Sequence, residues 1–130
     1  RLDTDANEWV YDEFTSRCID AGSPGWPLAN ESITLDAEPT NSWGENLRID
    51  MGYYGGTAEA SMPPYGWTLL SDMDNSGWVN LADYSYLSYF YGSHGKKIDG
   101  DLNRDGIVDL NDIALLTEDW LEHTDWAPRR

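Results

Sequence analysis

The apolar positions of this 130-residue chain fall into two regimes. After residue 80 they recur at helical steps: Leu81, Tyr84, Leu87 and Tyr91 with Phe90 beside them, then Ile113, Leu116, Trp120 and Leu121 with Leu115 adjacent. Apolar residues three and four apart share one helix face, so each run predicts a helix with one buried side. Gly92 and Gly95 are expected to end the first helix, and the stretch from His123 to Pro128 the second. Residues 1–70 hold only short apolar stretches. Arg17–Gly22 and Leu47–Gly52 read as short strands running into glycine turns, and Pro24, Gly25, Pro27, Pro39 and Gly44 break anything longer. The expected class is α+β, with a turn-rich segment of short strands followed by a small two-helix domain.

Just before each predicted helix the polar residues are spaced, not scattered. Asp101, Asn103, Asp105, Asp109 and Asp112 stand at positions one, three, five, nine and twelve of a loop, with Gly106 at six. This is the spacing of an EF-hand-type calcium loop. Side chains at one, three and five turn toward a common centre, and the glycine takes the sharp bend. Ile107 at seven offers its carbonyl, position nine acts through water, and the acid at twelve closes the shell. Asp112 replaces the usual Glu, so a shorter carboxylate must reach the ion. A second copy lies 29 residues earlier, with Asp72, Asp74, Ser76, Trp78 (carbonyl), Asn80 and Asp83 at the ligand positions and Gly77 at six. Asp72, Gly77, Val79, Leu81, Asp83 and Leu87 match Asp101, Gly106, Val108, Leu110, Asp112 and Leu116 in register. Val108 is expected to pack against its counterpart in a paired loop. The alternative is a pair of Asx-rich turns that cap two helices, with Asp83 and Asp112 as first-turn acids. The first loop offers Asp72, Asp74 and Asp83 as carboxylates, and the second Asp101, Asp105, Asp112 and Asp109, so calcium is expected to bind more tightly over 101–112. No long helix enters either loop: Met62-Pro-Pro-Tyr-Gly-Trp67 precedes one, and a Gly/Lys/Ser-containing stretch over 93–100 the other.

Composition fits this reading. The net charge is −16, from 24 acids against 8 Lys and Arg, which argues against partners that attract basic patches, nucleic acid and anionic membranes among them. Seven Trp and eight Tyr argue for a folded chain. No apolar stretch approaches the roughly 20 residues of a membrane-spanning helix. The single cysteine, Cys18, excludes an internal disulfide framework and is expected as a small buried residue at a strand start. The chain begins with Arg1 and is expected to be a piece of a longer protein. Acids outside the loops are expected on the solvated surface, and Lys96 and Lys97 are expected to soften it.

Residues 70–123 resemble a dockerin module, the duplicated calcium-binding loop–helix domain. The likeness is greatest to type I dockerin-like repeats on secreted and cell-surface proteins of bacteria outside the cellulosome-forming clostridia. The resemblance implies two Ca²⁺ ions, two roughly antiparallel helices related by a pseudo-two-fold, an extracytoplasmic setting, and binding to a cohesin-type partner protein. Where cellulosomal dockerins carry Ser-Thr-type pairs, this chain has Leu81-Ala82 and Leu110-Asn111, followed by Ser88, Tyr89, Thr117 and Glu118 on the helix faces. That departure points to a different or intramolecular partner. About residues 14–61, the Cys-Ile-Asp-Ala-Gly and Arg-Ile-Asp-Met-Gly-Tyr-Tyr-Gly-Gly-Thr stretches resemble the closing coil of a secreted right-handed parallel β-helix. The implied organisation is a β-helix cap over 1–61, a linker over 62–69, the module over 70–123 and a tail over 124–130.

No Ser–His–Asp set, phosphate-cradling glycine loop or Cys/His cluster is present, so the chain is expected to be non-catalytic. His94 and His123 are expected to be isolated. Trp9, Tyr11, Trp26, Trp43, Tyr53, Tyr54, Tyr65 and Trp67 read either as small-domain packing or as a sugar-stacking platform, and Trp78 and Trp120 as packing near the loops. Three functions remain: a calcium-stabilised tether to another protein, a structural cap or accessory subunit of a larger envelope or enzyme complex, and a carbohydrate-binding fragment whose parent contacts polysaccharide.

Overall fold

The computed structural model describes residues 1–3, 5–10, 14–33 and 44–127. Tyr11, Pro39, Trp43 and the last three residues lie outside the described residues.

Among the described residues four elements form: β1 (Leu2–Asp3), β2 (Glu8–Trp9), α1 (Leu81–Phe90) and α2 (Leu110–Glu118). β1 and β2 pair antiparallel, Leu2 with Trp9 and Asp3 with Glu8. Asp3 Oδ1 closes the connecting turn by accepting the N–H groups of Asp5 (3.1 Å) and Ala6 (3.2 Å). No helix among the described residues is long and apolar enough to cross a membrane.

Both helices start where the polar spacing places them, and the reason is local. Asn80 and Asp109 are N-caps with extended backbone, and Asp83 and Asp112 at the third helical position complete capping boxes. The first helix stops before Gly92, as expected. The second stops at Glu118 rather than reaching Leu121, because Leu121 adopts φ 67°. Its repeat-mate is Gly92 at φ 82°. Each helix therefore ends in a left-handed turn, and only one of the two carries the glycine that announces it.

The apolar core is built within residues 69–116. Met73, Val79, Leu87, Leu102, Val108 and Leu116 are buried together, with Leu69, Leu70, Phe90, Ile98, Ile113 and Leu115 packed against them. The members match at the 29-residue offset: Met73 with Leu102, Val79 with Val108, Leu87 with Leu116. The helical stripes bury less than their periodicity suggests. Leu81, Tyr84, Tyr91, Trp120 and Leu121 are exposed, because the loop residues Met73, Val79, Leu102 and Val108 fill the space between two short helices.

Val79 and Val108 share the core, but their backbones do not pair with each other. Val79 donates to Glu122 O (3.0 Å) and accepts from Leu121 N–H (2.9 Å). Val108 donates to Ser93 O (3.0 Å) and accepts from Gly92 N–H (2.8 Å). One bond further along, Thr124 N–H meets Gly77 O and Gly95 N–H meets Gly106 O, each at 2.9 Å. Every bond has its copy 29 residues away, so each loop is zipped to the exit of the other repeat's helix. His123 and His94 sit in this zipper, bridged to Trp78 and Ile107, and the His123 ring lies 4.5 Å from that of Trp78. They are not isolated. The tail expected from 124 also begins inside the zipper: Thr124 is buried, and Trp126 packs on Trp67 (5.8 Å) while donating Nε1–H to Trp67 O (2.8 Å).

The strands expected over 17–22 and 47–52 are not formed. The two segments do lie side by side, with Gly22 N–H to Ile49 O and Met51 N–H to Cys18 O, each 2.8 Å. Between those bonds carboxylates replace the ladder. Asp20 Oδ1 takes Arg48 N–H and Asp50 Oδ1 takes Asp20 N–H, each at 2.6 Å. Glu31 Oε1 takes the N–H groups of Asp50 (2.9 Å) and Gly56 (2.6 Å). Asp20 and Glu31 are buried, so not all acids outside the loops belong to solvent. Cys18 is exposed in a turn, since no strand exists to bury it.

Candidate metal site

The two Asp/Asn loops fold to one design. Asp72 Oδ1 accepts Ser76 N–H (3.0 Å) and Oδ2 accepts Gly77 N–H (2.8 Å); Asp101 accepts Asp105 N–H (3.1 Å) and Gly106 N–H (2.8 Å) in the same way. At position twelve, Asp83 Oδ1 takes Met73 N–H (2.8 Å) and Oδ2 takes Asn80 N–H (2.8 Å). Asp112 does the same with Leu102 and Asp109, both at 2.8 Å. Position three contributes Asp74 Oδ1 to Ser76 N–H (3.0 Å) and Asn103 Oδ1 to Asp105 N–H (3.1 Å). The bend at six needs a left-handed backbone, and Gly77 (φ 89°) and Gly106 (φ 91°) supply it without a Cβ penalty.

These bonds aim oxygen inward. Trp78 O accepts from Ser76 Oγ (3.2 Å) and Asn80 Nδ2 (3.5 Å), so the position-seven carbonyl faces the side chains at five and nine. In the second loop Asp105 Oδ1 takes Ile107 N–H (2.9 Å), Asn103 Nδ2 lies 3.2 Å from Asp105 Oδ2, and Asp109 Oδ1 accepts Asn111 N–H (2.8 Å). Asp72, Asp83, Asp101 and Asp112 are buried, while Asp74, Asn103 and Asp105 reach solvent. Among the described residues, three carboxylates converge in the first loop, where Asp72, Asp74 and Asp83 each place an oxygen within 4.8 Å of the others. The closest convergence therefore lies in the loop that the carboxylate count ranks second.

The electrostatics are those of carboxylates gathered in a buried site. Burial, ahead of the charge of Asp83, pushes the Asp72 carboxyl up to about 6 against the pull of the Gly77 and Ser76 N–H groups. Burial also raises Asp83, with the charge of Asp74 adding to it, and raises Asp101, with Asp112 and Asp105 adding. Lone pairs remain for a cation: at Asp83 and Asp112 Oδ1 takes two N–H groups, but Oδ2 takes only one. The donor set is carboxylate, hydroxyl, amide and carbonyl oxygen with no His or Cys, which suits a hard ion such as Ca²⁺ and not a thiophilic one. The residues fit the ion expected of them.

Sequence reasoning missed the two arginines beside the loops. Arg48 is 2% exposed and donates Nε–H to Gly22 O (2.6 Å), with further bonds to Ala21 O and to Asp72 O at the start of the first loop. Burial lowers its pKa, and the charges of Asp72, Asp20, Asp83 and Asp74 oppose that shift. Arg104, at position four of the second loop, donates to Pro24 O (3.0 Å) and Leu47 O (2.6 Å). A lone Arg between Leu and Ile carries no periodic signal. Only the hydrophilic residue at an otherwise apolar Leu-x-Ile step hints at burial.

Tyr53 and Tyr54 meet edge-on at 87°, and Trp26 is covered on one face by Lys97 Nζ at 4.8 Å from the ring centre. No family model matches the chain, and no curated protein or solved structure matches it.

Proposed function

We propose that residues 70–123 are a dockerin-like, non-catalytic module that binds two Ca²⁺ ions and tethers an extracytoplasmic bacterial protein to a cohesin-like or other partner protein. One observation carries this reading: the hydrogen-bond frame around Asp72 and Asp83 is reproduced, bond for bond, around Asp101 and Asp112 at the 29-residue offset. Turns that only cap helices have no need to bury a second carboxylate opposite the cap. Asp72, Asp74, Ser76, Asn80, Asp83 and the Trp78 carbonyl hold one ion. Asp101, Asn103, Asp105, Asp109, Asp112 and the Ile107 carbonyl hold the other. Bound calcium removes the mutual repulsion of the carboxylates, which couples metal binding to folding. The second loop is the tighter, because it offers four carboxylates, Asp101, Asp105, Asp109 and Asp112, against three in the first. Arg48, which faces Asp72, Asp74 and Asp83 together, also opposes a cation at the first loop more than Arg104, which faces Asp101 alone of the ligands, does at the second.

The helix faces support an external partner. Tyr89 is 83% exposed, and Leu81 and Leu110, which hold the same place in the two repeats, are also exposed in large part. Hydrogen bonds and ring contacts from the N-terminal half instead reach the loops, the 97–104 stretch and Trp126. The test is capture by the full chain in calcium and release in EGTA. A stoichiometric partner lost in the double variant Tyr89→Ser, Leu110→Ser supports the tether. Capture unchanged by both treatments contradicts it.

A second reading, a calcium-stabilised structural cap, is favoured by the buried Arg48 that joins residues 21–22 to residue 72. It predicts no partner on the helices and full calcium-dependent stability without one.

A further inference from the structure

The loop side of the helical module is occupied by this chain's own N-terminal half. Residues 23–26 lie along 97–104: Ser23 Oγ–H donates to Asp99, Lys97 stacks on Trp26, and a Cβ on Gly25 would collide with the Ile98 carbonyl. The contact closest to the second loop is Arg104. Its φ of 57° places it in the left-handed region between Asn103 and Asp105, where its N–H turns back to Asp101 O (3.3 Å). From that position Nε–H reaches Pro24 O and an Nη–H reaches Leu47 O, one on each of the two N-terminal segments. A non-glycine residue keeps such a backbone only while the loop around it stays wrapped. The wrapped loop in turn gathers Asp101, Asp105 and Asp112, whose like charges work to open it.

We propose that occupancy of the second loop by a divalent cation controls how firmly residues 17–26 and 46–51 are held, with Arg104 as the positioning residue that transmits it. This rests on the calcium reading above. Neutralising the acids holds the loop wrapped, and the wrapped loop aims the guanidinium at both segments. Removing the cation releases residue 104 and with it two carbonyl anchors. The repeat-mate of Arg104 is Asn75, which has no guanidinium to offer; the first loop is tied from the other direction, by Arg48. Coupling is reciprocal, so the docked N-terminal half must also raise the cation affinity of the second loop.

Hydrogen exchange on the full chain, in excess Ca²⁺ and in EGTA, tests this. The reporters are the amides of Gly22, Arg48 and Met51, bonded to Ile49 O, Asp20 Oδ1 and Cys18 O, and the loop amides of Asp105 and Gly106. In the native sequence EGTA should speed exchange at Gly22, Arg48 and Met51 by about ten-fold, a coupling of ordinary size. In Arg104→Met that response should fall below about two-fold while Asp105 and Gly106 remain calcium-protected, which also shows that the variant folds. Arg104→Lys, which keeps one donor group, should retain part of the response. An equal response in native and Arg104→Met chains overturns the inference. So does loop protection by calcium without any response at Gly22 and Met51. If Asp105 and Gly106 themselves ignore calcium, the calcium reading fails and this inference falls with it.

Discussion

Asp83→Ala separates a metal ligand from a helix cap. The Asp83 carboxylate takes the N–H groups of Asn80 and Met73 at 2.8 Å and that of Asp74 at 3.3 Å, and it is fully buried. Deleting it removes two good hydrogen bonds and one long one from a dry site. At about 1 kcal/mol or slightly more each, the loss is about 3 kcal/mol, lessened by relief of its repulsion with Asp72 and Asp74. That loss is the same at every calcium concentration. Ligation adds an effect that is not. Each ion bound only by the folded state adds about 1.4 kcal/mol of stability per tenfold rise in free Ca²⁺ above its Kd. Urea unfolding across buffered calcium should therefore give a native slope of about 2.8 kcal/mol per decade for two ions. The Asp83→Ala slope should be about 1.4, so that the two lines diverge. Parallel lines separated by about 3 kcal/mol would refute the reasoning, because Asp83 would then be a cap and nothing more.

Asp105→Ala, in the second loop, should abolish the higher-affinity phase of a calcium titration, and Asp74→Ala, in the first, the weaker one; the reverse assignment would remove the role given to Arg48. Leu87→Ala and Leu116→Ala, both fully buried and repeat-mates, should each cost about 2–5 kcal/mol in urea unfolding, and by closely similar amounts. Burial lifts Asp20 to about 6 and Asp50 to about 7. An acid with a raised folded-state pKa favours the fold fully below its unfolded pKa and loses that contribution as pH rises through the folded value. The native chain should accordingly lose roughly 2 kcal/mol relative to Asp20→Asn between pH 4 and 7, measured in the same calcium.

What the sequence made legible is whatever a few neighbouring residues decide. The helix starts at Leu81 and Leu110 follow from capping boxes only four residues long. The loop frames follow from Asp at one and twelve with Gly at six, since the glycine bend and the inward carboxylates are fixed by backbone geometry. The end of α2 was hidden because Leu121 takes the left-handed turn that Gly92 takes in the first repeat. Superposing the repeats would have exposed it. The N-terminal half was misread for a different reason. A strand is inferred from alternating apolar residues, but Arg17–Gly22 and Leu47–Gly52 are joined by Asp20, Asp50 and Glu31 accepting backbone N–H groups. An acid that substitutes for a ladder bond looks, in sequence, like any surface acid.

The pairing between each loop and the exit of the other helix was also out of reach. It joins residues 11 to 47 positions apart, and the loops' own similarity suggests pairing with each other. Once seen, it explains why His94 and His123 occupy equivalent places and why Thr124 is buried so near the C-terminus.

Native mass spectrometry of the full chain in micromolar calcium tests the central claim most directly. The account predicts a dominant species carrying two Ca²⁺ ions, one ion in Asp83→Ala and one in Asp112→Ala. A chain that stays metal-free, or that takes up ions without regard to either substitution, would contradict it.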